Sequence, residues 1–171
     1  MTNSMTEATE STPPTQSLSL RVGSLMAFQL ACFCVAATGA FFPPDAWYQN
    51  LIRPSYAPPN WLFGPVWTVL YTMIGVSGWL VWQSNSPDDK HSALSAFVLQ
   101  LILNAAWSGL FFGWHRPDLA LMEISLLWAA IVTTILLFRH FSTVAAMLLL
   151  PYLAWVSFAT ILNYGFWSLN R

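Results

Sequence analysis

Five apolar stretches, each long enough to cross a bilayer, fill most of the chain after residue 20. A hydrocarbon core about 30 Å thick requires about 20 helical residues, each rising roughly 1.5 Å. Val22 to Phe42, Leu62 to Trp82, Ser92 to Trp114, Leu119 to Phe138 and Val144 to Phe166 all reach that length. Backbone N–H and C=O groups find no water in lipid and must pair within their own segment, so helices are expected. The chain therefore reads as an all-α membrane protein, a bundle of five transmembrane helices. Charged residues make up 8% of the chain, against roughly 25% in soluble domains, which argues against a water-exposed globule. The spans and their connections consume the length, so residues 18–171 are expected to form one domain behind a disordered polar tail at 1–17.

The rest of the composition mainly excludes. A net charge of −1 offers no basic face for nucleic acid. The tail lacks the basic start of a secretory signal and the arginines of a transit peptide, so the first span is expected to stay as a real helix. Cys32 and Cys34, the only cysteines, stand two apart on one helix and point to separate faces. Buried thiols are expected there rather than a disulfide or metal pair. His91, His115 and His140 lie near helix ends without paired spacing, so no metal site is expected. Arg21, Arg53, Lys90, Arg116, Arg139 and Arg171 fall one to each end or connection, and the positive-inside rule selects no orientation.

The most unusual stretch is Pro43 to Pro65. Pro43, Pro44, Pro54, Pro58, Pro59 and Pro65 make it too proline-dense for helix or central strand. It also carries Trp47, Tyr48, Tyr56, Trp61 and Phe63. An ordered lid folded against the bundle is one reading, and a belt of aromatics at headgroup level is the other. The prolines favour the lid, because a belt does not require them.

Helical spacing singles out three faces. Trp67, Tyr71, Gly75, Gly78 and Trp82 share one face of the second span, alternating rings with notches. Pro151, Trp155, Ala159, Leu162 and Phe166 repeat the idea on the fifth. Such faces either enclose a flat apolar ligand or simply let helices approach closely. On the third span Gln100, Asn104, Trp107, Ser108 and Phe111 form a partly polar face, turned toward another helix or a ligand. About 100° round that helix, Ala105, Gly109 and Gly113 form a small-residue face containing GxxxG, suited to a dimer or to an intrachain contact. Glu123 is an intramembrane acid and so a functional candidate, but its place near the span's end favours reach to the headgroups. There is no nucleophile motif, phosphate loop or dinucleotide fingerprint.

Three ordered signatures give the chain a family likeness. The first is Trp47-Tyr48, Leu51, Arg53-Pro54, Tyr56, Pro58-Pro59, Phe63-Gly64-Pro65-Val66-Trp67 and Leu70-Tyr71. The second is Leu103-Asn104, Trp107-Ser108 and Phe111-Phe112. The third is Pro151-Tyr152, Trp155, Phe158-Ala159, Leu162-Asn163, Trp167 and Leu169-Asn170. With these the chain resembles the translocator protein family (TspO, the peripheral benzodiazepine receptor), as a bacterial-type member, over about residues 22 to 170. The resemblance implies a five-helix bundle in a bacterial cell membrane, often a homodimer. It implies hydrophobic ligands such as protoporphyrin, haem and benzodiazepine-type drugs, with no cofactor required. By motif position Trp47, Tyr48, Trp67, Asn104, Trp107, Phe111, Trp155 and Ala159 would line the pocket, and Tyr71 joins them through its stripe. Trp67 and Trp155 look like the tryptophans associated with light-dependent porphyrin breakdown in bacterial relatives.

The chain departs from the family in places. Arg53 stands where Lys is usual, and Tyr56 replaces the customary Trp. Ser168 follows Trp167 where animal members carry Arg. A cholesterol pattern needs a basic residue within five intervening positions of its tyrosine. From Tyr164 the next is Arg171, with six between, so cholesterol is not an expected ligand. The leading expectation is a tetrapyrrole-binding sensor or a protein for porphyrin transport or disposal. The alternatives are a light-dependent porphyrin-degrading enzyme using Trp67 and Trp155, and a membrane scaffold or regulatory partner.

Overall fold

In a computed structural model describing residues 17–171, all five apolar stretches are helical. The expected polar tail, Ser17 excepted, lies outside the described residues. α1 is Leu18–Thr38, prolonged by a 3-10 turn to Phe41. The short α2 is Ala46–Asn50 and α3 is Phe63–Gln83. α4 is His91–Ser108, α5 is Pro117–Phe141, α6 is Thr143–Leu148 and α7 is Leu150–Leu169. α1, α3, α4, α5 and the α6–α7 pair are each long and apolar enough to span a bilayer, and the chain is a multi-pass membrane protein.

The expected continuous fifth span is broken at Leu149. Pro151 has no N–H to donate, so the ladder of α6 cannot run into α7. Instead the Leu149 N–H closes back on the Ala146 carbonyl at 3.2 Å, and Leu149 C=O accepts from Leu153 at 2.9 Å. The third span also changes pitch. After Ser108 it widens into a π-turn over Gly109–Gly113, where the Trp114 N–H reaches the Gly109 carbonyl at 2.8 Å. The stretch Pro43 to Pro65 is not without helix. α2 occupies its proline-free middle, a 3-10 turn covers Asn60–Leu62, and Pro65 sits in the first turn of α3, where a missing N–H costs nothing.

α4 and α5 are antiparallel neighbours joined by a tight turn. α1 lies on α3 and α4, α5 lies on α6 and α7, and α3 and α7 meet only sparingly. Lipid is as apolar as a leucine side chain, so close fit and interhelical hydrogen bonds hold such a bundle. A Cβ on Gly75 would lie 2.8 Å from the Gln29 amide, and one on Gly78 would lie 2.8 Å from the Phe97 ring. The Ser77 hydroxyl donates to the Ala145 carbonyl at 2.7 Å, tying α3 to α6. The two thiols do part company: Cys32 is buried in the core, whereas Cys34 faces outward and is exposed, contrary to the expected burial of both.

Candidate functional site

The sparse contact between α3 and α7 leaves a cavity of about 420 Å³, walled by α1, α3, α4, α5 and α7 and covered by the α1–α3 connection. Of the residues expected to bind ligand, Tyr48, Trp67, Tyr71, Asn104, Trp107, Phe111, Trp155 and Ala159 line it. Trp47 does not. It turns away, stacks on His115 at 4.4 Å and presents its edge to Phe111 at 5.9 Å. The α3 stripe divides along its length: Trp67 and Tyr71 reach the cavity, while Gly75 and Gly78 receive neighbouring side chains. The α7 stripe stays with the cavity through Trp155, Ala159, Leu162 and Phe166.

The wall is rich in aromatic rings. Trp67 stacks on Tyr71 at 5.3 Å and stands perpendicular to Trp155, with centroids 6.5 Å apart. Trp107 stacks on Phe111 at 5.1 Å across the start of the π-turn. The wider turn lets the consecutive residues Phe111 and Phe112 both face inward, and such bulges recur at functional sites.

Two buried amides organise the polar part. Asn104 Oδ1 accepts from the Tyr71 hydroxyl, and its Nδ2 donates to the Tyr152 hydroxyl at 2.9 Å, joining α3, α4 and α7. Asn163 Oδ1 accepts from the Trp107 indole at 3.0 Å, and its Nδ2 donates to the Pro117 carbonyl at 2.8 Å. Asn163 was not among the expected site residues, though it belongs to the third signature. The Trp155 indole N–H is buried without a partner among the described residues. Glu123 corrects another expectation. It does not reach the headgroups: it is 8% exposed, and both carboxylate oxygens lack a partner among the described residues. Because α5 begins at Pro117, Glu123 is already in the second turn and shares the inward face of Ile124 and Leu127, which line the cavity.

The connection over the cavity is an ordered lid fastened to α7 and to the α4–α5 turn. Asn170 clamps it, accepting from the Ile52 N–H at 2.8 Å and donating to the Ile52 carbonyl at 3.0 Å. The Tyr56 hydroxyl donates to the Ile161 carbonyl at 3.2 Å. A Cβ on Gly165 would collide with that hydroxyl and lie 2.7 Å from Pro54, so glycine makes the seat. Arg53 braces the lid from within, donating to Asn60 Oδ1 at 2.9 Å and the Pro58 carbonyl at 3.0 Å. Its guanidinium also sits 5.8 Å from the Tyr48 ring centre. Burial pushes the Tyr48 phenol above its ordinary value, and the Arg53 charge pulls it partly back.

Of the expected dimer residues, Gly109 and Gly113 have a use inside the chain. Phe42, at the start of the lid, packs over both, and a Cβ on Gly113 would lie 2.8 Å from its ring. Ala105, a turn further into the membrane, is half-buried.

Comparison with known proteins agrees with this architecture. The TspO/MBR family model matches residues 28–168. The Tryptophan-rich protein TspO of Chlorobaculum tepidum is 42% identical over 146 residues, covering 81% of this chain and 90% of its own. The Translocator protein of Homo sapiens is 37% identical over 152 residues, covering 88% and 89%. The Tryptophan-rich sensory protein of Cereibacter sphaeroides is 36% identical over 145 residues, covering 85% and 90%. With a family model over most of its length and relatives this similar along nearly their whole chains, the protein belongs to the TspO/MBR family.

Proposed function

We propose that the cavity beneath the lid binds a flat, largely apolar tetrapyrrole, protoporphyrin or haem, and that the protein serves as a sensor for such ligands or in their transport and disposal. The observation that carries this reading is the perpendicular pair Trp67 and Trp155, 6.5 Å apart in a wall rich in aromatic rings. Each ring offers a face to a macrocycle, and aromatic contacts contribute about 0.5–1.5 kcal/mol beyond area burial. A volume of about 420 Å³ lies in the range of small-molecule sites, roughly 300–1,000 Å³. The two amides of the wall, Asn104 and Asn163, hold its rings in place rather than supply chemistry. A relative named as a sensory protein fits a binding role.

Titration of the purified protein with protoporphyrin in the dark, read by tryptophan quenching, tests this. Saturable quenching is expected, and Ala159→Leu, which fills the cavity from α7, should weaken it about tenfold while leaving the thermal midpoint in place. Benzodiazepine-type compounds should compete for the same cavity. Quenching that never saturates, or that Ala159→Leu leaves unchanged, overturns the proposal. A second reading rests on the same pair: the protein holds protoporphyrin against an oxidisable indole and promotes its light-driven breakdown. The Trp155 indole favours it, since it lines the cavity beside Trp67 and its N–H has no hydrogen-bond partner among the described residues.

A further inference from the structure

His115 stands in the turn between the π-end of α4 and the start of α5, with φ of 54°. It is the only non-glycine residue in the left-handed region among the described residues, and histidine is one of the few side chains that tolerate it. From there its ring grips the lid twice. Nε2 lies 3.0 Å from Asp45 Oδ2, and the imidazole stacks on the Trp47 indole at 4.4 Å and 18°. Asp45 is itself the cap of α2, its Oδ1 accepting from the Tyr48 N–H at 3.1 Å. One imidazole thus holds the helix that carries Tyr48 onto the cavity.

Both contacts strengthen when the imidazole is charged. The hydrogen bond becomes an ion pair, and the stack becomes a cation–π contact. Histidine is the side chain that ordinarily changes charge between pH 5 and 8. We propose that His115 is a proton-sensitive latch on the lid, closed when the imidazole is protonated and loosened when it is neutral, so that access to the cavity rises with pH. The proposal rests on the reading that the lid covers the ligand site.

The other charged groups near the imidazole are already engaged. The Tyr48 N–H, and then His115, hold the Asp45 carboxyl below its usual range, so it stays ionised throughout that window. Arg116, the next residue, is engaged by Asp118 at 2.8 and 2.6 Å. Arg53 is occupied within the lid on Asn60 and Pro58. The latch is therefore strongest on the acid side of the window and is lost as pH rises. It is lost again only where acid protonates Asp45.

Hydrogen–deuterium exchange of the α2 amides in the full-length protein, in detergent micelles without ligand, tests this between pH 5.5 and 8. With rates corrected for intrinsic exchange, wild-type protection should fall about fivefold as pH rises, about 1 kcal/mol at 1.4 kcal/mol per decade. His115→Gln keeps a polar side chain without the charge, and Asp45→Asn keeps a competent cap. Both should give flat profiles. Asp88→Asn removes the 2.9 Å pair with His140 at the opposite end of the bundle and should leave the wild-type slope intact. A flat wild-type profile, or a wild-type slope in His115→Gln, overturns the latch. Protoporphyrin association should quicken with pH in wild type and not in His115→Gln. If protoporphyrin fails to bind at any pH while the exchange slope holds, the tetrapyrrole reading falls and the latch stands.

Discussion

Asn104 illustrates how much a single side chain arranges inside a bundle. Its amide accepts from Tyr71 and donates to Tyr152, so one residue sets a ring of the cavity wall and a ring of the core behind it. Asn104→Leu removes a partner from both buried hydroxyls. The loss is expected to be about 1 kcal/mol, the scale of interhelical hydrogen bonds in membranes, read as a lower thermal midpoint in micelles. Trp67 and Trp155 allow a sharper separation. Replacing either with Phe keeps a ring, so dark affinity for protoporphyrin should drop by only about 1 kcal/mol. If an indole takes part in the photochemistry, the same variants lose light-driven conversion, because phenylalanine is not oxidisable under those conditions. Conversion at the wild-type rate in both variants would leave a binding protein alone. Asn104, Trp67 and Trp155 were legible beforehand because helical spacing puts them on definable faces. Trp47 was not, since a residue between helices has no period to orient it, and its stack on His115 joins segments far apart in the chain. Glu123 was misplaced because only its distance to the span's end was weighed, while helical spacing puts it on one face with the buried Ala120, Ile124 and Leu127.

At the scale of elements, proline works in three different ways. Pro151 separates α6 from α7, Pro65 starts α3 at no cost, and the prolines of the lid stiffen a segment that α2 interrupts. Proline density alone announced order in the lid but concealed the helix between Pro44 and Pro54. The π-turn had no signal at all: Gly109 and Gly113 read equally well as an association motif on a regular helix, and only the hydrogen bonds distinguish the two. The lid's fastening lies in Asn170, whose two bonds to Ile52 tie the end of α7 to the connection between α1 and α3. Asn170→Ala should speed exchange at the Ile52 amide by about tenfold, roughly 1.4 kcal/mol, with exchange in α5 unchanged. An unaltered Ile52 amide would mean that Tyr56 and the Gly165 seat suffice. Chymotryptic cleavage after the half-exposed Tyr56 should also slow when protoporphyrin is added, because an occupied cavity holds the lid down from beneath.

For the molecule as a whole, the five spans followed from the thickness of a bilayer, but the number of copies does not follow from any single chain. We propose that two copies meet through the third span at Ala105, and Phe42 changes how that proposal is tested. A leucine at Gly113 would strike Phe42, whose ring already lies 2.8 Å from where a Cβ would stand. The lid begins at Phe42, so Gly113→Leu should lower the thermal midpoint and disturb ligand binding whether or not a dimer exists. Overpacking of this kind costs about 1–3 kcal/mol. Loss of a dimer in that variant would therefore say nothing about a helix–helix interface. Ala105→Leu is the discriminating change, since it alters the same stripe away from Phe42. If the interface runs along this stripe, light scattering in mild detergent should find Ala105→Leu monomeric, with an unchanged thermal midpoint and saturable protoporphyrin quenching. A mass that stays dimeric in Ala105→Leu would assign the glycines wholly to seating Phe42 and move any dimer contact to another face.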